Sequence, residues 1–213
     1  MTSSELHTDA EPRAQVLANQ FLNTLAVHPS NYWIGFVSDP ATVVLFLYWN
    51  TAILHRNIYA SLACYVAGIL TVSLCEYSLH RWVFHSSVPL ARAGHTMHHD
   101  SPRALVGFPW FVTAAFWWSV AYIAVNLLHI PFVLSFIAAF ITGYAVYGVI
   151  HHILHHHHAG GRWLRKLRIH HNIHHRLHDV NFGVTNRFWD RIFGTTFDRR
   201  AYKMRMSRAV THS

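Results

Sequence analysis

The histidines of this chain fall into clusters whose spacings suit metal binding. Neutral imidazole is a strong ligand for iron, copper, nickel and zinc, and the chain has 21 histidines among its 213 residues. A single metal ion cannot use all the histidines of these clusters, whereas two ions can, so we predict a dinuclear metal site. The predicted ligands are His80, His85, His95, His98, His99, His151, His155, His171, His174 and His175.

Two of the clusters repeat one spacing, with histidines at positions i, i+3 and i+4. On a helix such side chains share one face, and the spacing occurs at His95-x2-His98-His99 and again at His171-x2-His174-His175. Neighbouring residues such as His98 and His99 point about 100° apart on a helix, so these two could reach different ions. The sequence therefore predicts that the two ions share ligands from the same helices.

Other histidines and two carboxylates lie close to these clusters. Glu76 precedes His80 by four residues and is predicted to accept the spare ring N–H of a ligand. Asp100, next to His99, is predicted either to support the ligands in the same way or to be solvated. Further candidate ligands exist, although His156 to His158 are read more simply as exposed loop residues. These candidates are His152, His156, His170 and His178.

The composition indicates a membrane protein. Hydrophobic residues make up 52% of the chain and charged residues only 12%, against roughly 25% charged residues in an ordinary soluble domain. No Asp, Glu, Lys or Arg occurs between Ala104 and Gly161. A soluble protein of this size could not cover its surface with so little charge, so the bilayer explains the shortage.

The sequence predicts an all-α integral membrane helical bundle of about four transmembrane helices with a cytoplasmic histidine-rich cap. Ser38-Asp39-Pro40 interrupts the first apolar segment, which is either a short span or a re-entrant piece. Residues 1–31 are predicted to be a polar N-terminal segment, 32–200 the membrane-embedded domain and 201–213 a basic tail. The apolar segments cover residues 32–54, 58–75, 105–128 and 131–150.

Charge predicts the orientation of this bundle. Of 17 Lys and Arg residues, 12 lie from Arg162 onward, where there are three acidic residues. Because cytoplasmic segments carry an excess of Lys and Arg, both termini and all the histidine clusters are predicted to face the cytoplasm. A nucleic-acid partner is disfavoured, since the basic residues follow apolar spans and alternate with the predicted ligands.

The histidine boxes and the closing motif resemble the fatty acid hydroxylase superfamily, which also contains sterol desaturases and carotene hydroxylases. The similarity covers about residues 70–197 and is greatest to the fatty acid 2-hydroxylase branch. It rests on Glu76-Tyr-Ser-Leu-His-Arg-Trp-Val-Phe-His85, on His95-Thr-Met-His-His99, on Tyr147-Gly-Val-Ile-His-His-Ile-Leu-His155, on His171 to His175, and on Asn181-Phe-Gly-Val-Thr-Asn-Arg-Phe-Trp-Asp-Arg-Ile-Phe-Gly-Thr195.

The resemblance implies an O2-dependent di-iron enzyme that hydroxylates a lipid C–H bond, with a fatty acyl chain at C2 as the expected substrate. Zinc is expected to replace iron in recovered samples, because it binds imidazole more tightly than ferrous iron does. No cytochrome b5 domain is recognisable, so a separate cytochrome b5- or ferredoxin-like protein is the expected electron donor. The basic tail is read either as its docking site or as a contact with anionic membrane lipids.

Several alternatives remain at the level of sequence. A desaturase, or a sterol or carotenoid oxygenase of the same superfamily, would use the same histidine boxes. A membrane metal-binding or transport protein should instead place ligands within its spans. A zinc hydrolase is disfavoured by the lack of an HExxH motif. Five aromatic residues are read either as lipid-facing or as lining the substrate route: Trp110, Phe111, Phe116, Trp117 and Trp118.

Overall fold

The computed structural model describes residue 24 and residues 28–85, 89–105, 107, 109–158 and 160–204. All the regular elements in these ranges are helices, which confirms the predicted all-α fold. The α-helices whose two ends both lie within these ranges are α1 (Pro29–Tyr48), α2 (Ile58–Leu79), α3 (Pro89–Asp100), α4 (Trp110–Tyr122), α5 (Val133–His156), α6 (Arg162–His174) and α7 (Phe188–Ile192).

Three of the long helices end in a wide helical turn with i→i+5 hydrogen bonds. These turns follow α1, α2 and α4 and cover Trp49–Ile53, His80–Phe84 and Ile123–Leu127. Such π-helical turns are rare and often occur at functional sites. The second of them begins at a predicted ligand, so it bears directly on the geometry of the histidine clusters.

Three described helices are long and apolar enough to cross a membrane: Ile58–Phe84, Trp110–Leu127 and Val133–His156. The first and third of these correspond to the apolar segments 58–75 and 131–150, but both run further along the chain. The extensions matter because they carry His80 in one helix and His151 and His155 in the other. These three predicted ligands therefore lie on the end turns of the long helices and not in the connecting segments.

Helix α1 runs along the bundle from one end to the other. The Tyr32 hydroxyl lies 2.9 Å from Nδ1 of His152 at the histidine-bearing end of α5. Past the other end of α1, Asn50 Nδ2 donates to the Ser61 hydroxyl at 2.7 Å. The helix continues through Ser38-Asp39-Pro40 without a break, so it is not a re-entrant piece. Asn31, Asp39 and Thr42 of α1, together with Asn50 in the turn that follows it, are buried and so face the bundle interior.

Helices α2 and α5 pack closely because glycine removes the side chains between them. A Cβ atom added at Gly68 of α2 would lie 2.6 Å from Ala139 Cβ and 2.9 Å from the Phe136 carbonyl oxygen. At Gly143 of α5, an added Cβ would overlap the Val72 side chain. Small residues at such crossings let helix backbones approach each other closely. This pair forms the centre of the bundle and leads to the histidines at its end.

Candidate metal centre

The predicted ligands converge at one end of the bundle in two groups of five. Within each group the nearest ring nitrogens all lie within 4.8 Å of one another. The first histidine group and the second histidine group together contain every residue that the sequence marks as a principal ligand. The first is His80, His85, His95, His99 and His174, and the second is His98, His151, His155, His171 and His175.

The π-helical turn after α2 explains how His80 and His85 reach the same group. In a regular α-helix, residues five positions apart differ by about 140° in direction, so their side chains would diverge. The i→i+5 turn at His80–Phe84 contains an additional residue per turn, which brings the two rings back to one side. Their ring centroids lie 5.3 Å apart. The spacing of five residues is therefore compatible with a shared site only because the helix widens here.

Helices α3 and α6 each contribute ligands to both groups, but α3 gives two to the first group and α6 gives two to the second. Helix α3 gives His95 and His99 to the first group and His98 to the second. From α6 and its C-cap residue, His171 and His175 belong to the second group and His174 to the first. The residues at i and i+4 share a direction on a helix, while the residue between them points away. The repeated spacing thus connects two adjacent sites through two helices.

The nitrogen separations suit metal ions at the centre of each group. Neighbouring Nε2 atoms lie 2.9–3.2 Å apart in the first group and 2.9–3.3 Å apart in the second. Two nitrogens bound to one ion at about 2.1 Å and at right angles would be about 3.0 Å apart. Without a cation between them, so many convergent lone pairs would repel one another. The donor set therefore fits a metal site.

Backbone carbonyls orient two rings of the first group from behind. Nδ1 of His80 lies 2.5 Å from the Phe182 carbonyl oxygen, and Nδ1 of His174 lies 2.8 Å from the Val180 carbonyl oxygen. A carbonyl can only accept, so Nδ1 carries the proton in both rings and Nε2 keeps its lone pair for the centre. Hydrogen bonds of this kind fix the tautomer and direction of metal-binding histidines. Residues 180–185 are called the bracing loop below.

Two carboxylates hold the bracing loop in place, that of the partly buried Glu76 and that of the buried Asp190. The Glu76 carboxylate accepts from the Val184 N–H and the Thr185 N–H, both at 2.9 Å, and from the Thr185 hydroxyl. Asp190 accepts from the Phe182 N–H at 2.8 Å and the Gly183 N–H at 2.9 Å. The sequence interpretation of Glu76 is corrected here, because its carboxylate contacts the loop and not a histidine ring. Its influence on His80 passes through the loop.

Asp190 also joins the loop to α6. Its carboxylate accepts from His170 Nε2 at 2.9 Å and from the Thr195 hydroxyl at 2.7 Å. Burial raises the pKa of Asp190, but the hydrogen bonds from His170, Thr195 and Gly183 outweigh it and hold this pKa below its usual value. Asp190 is therefore an ionised acceptor at the centre of a four-donor network. The sequence indicated this residue only as part of its closing motif.

The further candidate ligands His152, His156, His170 and His178 lie outside both histidine groups. His170 is committed to Asp190, and His152 bonds the Tyr32 hydroxyl and stacks on His156 with ring centroids 4.4 Å apart. His178 is exposed, with Nε2 3.2 Å from the His175 carbonyl oxygen. Asp100 is exposed at the end of α3. Of the two sequence alternatives for Asp100, the solvated one matches its position.

Burial keeps the imidazole rings uncharged, so that their nitrogen lone pairs are available to bind a metal ion. Loss of water contact, followed by repulsion from neighbouring imidazoles, lowers the pKa of His95 to about 2 and that of His98 to about 3. The same causes lower the pKa of His99 to about 4 and that of His175 to about 2. Protons therefore compete poorly with a metal ion for these nitrogens near neutral pH.

The family model for fatty acid hydroxylase matches residues 65–195 of the chain. This range includes every member of both histidine groups, the bracing loop and the carboxylates that hold it. Helix α1 lies outside the matched range. The match therefore covers the site and the helices that end in it, but it does not include α1.

Named relatives and a solved structure share this similarity. The chain is 31% identical over 193 residues to the ceramide very long chain fatty acid hydroxylase scs7 of Schizosaccharomyces pombe, which covers 84% of this chain and 54% of the relative. It is 31% identical over 140 residues to the dihydroceramide fatty acyl 2-hydroxylase FAH2 of Arabidopsis thaliana, covering 60% of this chain and 58% of the relative. The chain thus spans little more than half the length of these relatives.

The solved structure is described as full-length scs7p with only the hydroxylase domain visible. It superposes on the chain with a TM-score of 0.68 at 26% sequence identity, covering 84% of this chain and 70% of that one. Because the superposition extends over most of the described helices, the similarity concerns the bundle as a whole and not only the histidine motifs.

Proposed function

Because this chain belongs to the fatty acid hydroxylase family, we propose that it is an O2-dependent di-iron enzyme that hydroxylates a lipid acyl chain. The proposed position is the carbon next to the carbonyl group. The observation that supports this most strongly is the pair of five-nitrogen groups at one end of an apolar bundle. Names of relatives that are ceramide or fatty acyl 2-hydroxylases support the substrate class.

Each histidine group would hold one iron ion through its five ring nitrogens. A pair of iron ions supplies O2 activation and attack on an unactivated C–H bond, which no side chain of the protein can perform. The protein's own residues orient the donors and exclude water from the site. The bracing loop fixes the rings of His80 and His174, while α3 and α6 hold the two groups at a constant separation. Zinc in a purified sample would occupy the same nitrogens.

The product analysis tests this function directly. Cells that express the chain with a matched reductase and redox partner should accumulate 2-hydroxy fatty acids, released from their lipids by hydrolysis. Growth under 18O2 should label the new hydroxyl group, because the oxygen atom is proposed to come from O2. The His155→Ala variant, which removes one nitrogen from the second group, should lose the product. A new double bond, or oxidation confined to sterols or carotenoids, would instead indicate one of the alternative reactions.

We also propose that the histidine end of the bundle faces the cytoplasm. The polar interior and end-to-end course of α1 support four crossings, and the excess of Lys and Arg from Arg162 onward supports this orientation. With Cys64 and Cys75 replaced by alanine, a cysteine at Arg56 should label only from outside the cell. A cysteine at Arg200 should label only after the membrane is permeabilised. Labelling of both positions from one side would contradict four crossings.

A separate protein is proposed to supply the electrons. Helix α6, which carries His171 of the second histidine group, exposes Arg162, Arg165 and Lys166 in its first turns, and such a basic surface suits an acidic cytochrome b5- or ferredoxin-like donor. Residues 32–200 are proposed as the catalytic unit. The polar segment 1–31 and the basic tail 201–213 lie mostly outside the described residues, so both stay as sequence predictions.

A further inference from the structure

A cavity of about 110 Å³ lies between α1, α4 and α5 and reaches the second histidine group. His151 of that group forms one part of its wall, and the ring of Tyr147 stacks on His151 with centroids 5.3 Å apart. The wall also includes Asn31, Asp39, Trp110 and Tyr144. Trp110 thus lines a cavity that reaches the histidines, whereas Phe111, Phe116 and Trp118 of the same helix do not line it and are 40–56% exposed.

Asp39 is the unusual member of this wall. It lies inside an apolar helix and is only 7% exposed. Among the described residues, no cation or hydrogen-bond donor pairs with its carboxylate. A buried carboxylate is costly unless a partner satisfies it, and intramembrane ionisable residues generally mark a functional path. The missing partner is therefore expected to be a molecule that enters the cavity.

The residue after Asp39 adds a second acceptor to the same helix turn. Pro40 has no N–H group, so the Phe36 carbonyl lacks its usual helical donor. Phe36 also lines the cavity. Asp39 and this turn of α1 therefore favour a ligand group that donates hydrogen bonds. They disfavour an anionic group such as a free carboxylate, which the Asp39 carboxylate would repel.

We propose that this cavity binds the polar head of the lipid substrate, and that Asp39 accepts a hydrogen bond from an uncharged donor in that head, an amide N–H or a hydroxyl. The inference rests on the proposed lipid hydroxylation and specifies its substrate class as neutral lipids that carry such a donor. It also assigns a substrate-binding role to α1, which lies outside the range that the family model matches.

Equilibrium binding of radiolabelled lipids to the purified, metal-loaded protein in nanodiscs tests the proposal without requiring turnover. The probes share a palmitoyl chain: N-palmitoyl sphinganine has an amide and hydroxyls, monopalmitoylglycerol has hydroxyls only, methyl palmitate has no donor, and palmitate is an anion. The wild type should bind both donor lipids about 10-fold or more tightly than methyl palmitate, the worth of one hydrogen bond to a charged acceptor. A preference for the amide lipid alone would identify the amide as the donor.

Asp39→Leu should abolish that preference while leaving methyl palmitate binding unchanged. Asp39→Asn, which keeps the shape of the side chain, should reduce the preference and improve palmitate binding, because the repelling charge is gone. Thr42→Val is the matched control: this buried residue, one turn along α1, donates to the Ser38 carbonyl and does not line the cavity. It should bind all four lipids as the wild type does.

Two results would overturn the proposal: a wild type without preference for donor lipids, or an Asp39→Asn variant with unchanged preference and no gain for palmitate. The proposed function is judged separately by its product. A wild type that shows the Asp39-dependent preference but yields no hydroxylated lipid would support the binding site and contradict the hydroxylase assignment.

Discussion

His98→Ala is expected to bring activity below detection and to reduce the bound metal from two ions per chain to about one. His98 belongs to the second histidine group, and its Nε2 lies 3.0 Å from that of His151 and 3.1 Å from that of His175. Changes behind metal ligands alone commonly cost about 10–100-fold in affinity or activity, so the loss of a donor should cost more. Metal analysis and product formation on the same preparation measure both effects.

The control for this substitution is His157→Ala. His157 is exposed at the end of α5 and belongs to neither histidine group. Exposed substitutions usually change stability by no more than about 0.5 kcal/mol, so this variant should keep about half of the wild-type activity or more. Equal losses in the two variants would mean that the ligands within the run from His151 to His158 are wrongly assigned.

Asp190→Asn is expected to lower metal affinity about 10–100-fold, although Asp190 touches no metal-binding nitrogen. Both of its oxygens accept hydrogen bonds, from the N–H groups of Phe182 and Gly183 among others. An amide replaces one of these acceptors with an NH2 group that faces donors. The bracing loop should then loosen and release the Phe182 carbonyl from His80. Chelator challenge, followed by metal analysis of the protein, measures the loss.

Asp198→Asn provides the comparison for that variant. Asp198 is exposed, its carboxylate accepts from the Arg200 N–H at 2.7 Å, and no hydrogen bond among the described residues joins that carboxylate to a histidine or to the bracing loop. It should retain metal as the wild type does. Thermal unfolding of both variants in the metal-free state separates a general loss of stability from a loss of metal affinity. Full metal retention in Asp190→Asn would show that the loop does not hold the rings.

Within a cluster, the sequence predicted which histidines share a direction, because spacing on a helix determines direction. The separation of His98 and His99 into different groups also follows from their angular difference. The partners of each group could not be predicted, since they depend on how α3 and α6 lie across the ends of α2 and α5. That crossing is set by tertiary packing, which helical periodicity does not contain.

Other parts of the site left weaker traces in the sequence. The spacing of His80 and His85 does not suit an α-helix, and this mismatch could have indicated the π-helical turn. The role of Glu76 could not be found from its helical neighbours, because its partners Val184 and Thr185 are more than a hundred residues away. Asp39 looked like an interruption of an apolar segment, whereas the structure places it in the wall of a cavity.

The glycine contacts between α2 and α5 have a mechanical consequence. Helix α2 leads to His80 in one histidine group, and α5 leads to His151 and His155 in the other. Where Gly68 meets Ala139, no flexible side chain lies between the backbones to absorb a sliding motion. The two helices should therefore move together as one rigid unit. If one helix slid along the other, the distance between the two histidine groups at the end of the bundle would change. The contact between Gly68 and Ala139 therefore helps to fix the distance between the two histidine groups, although it lies far from them along both helices.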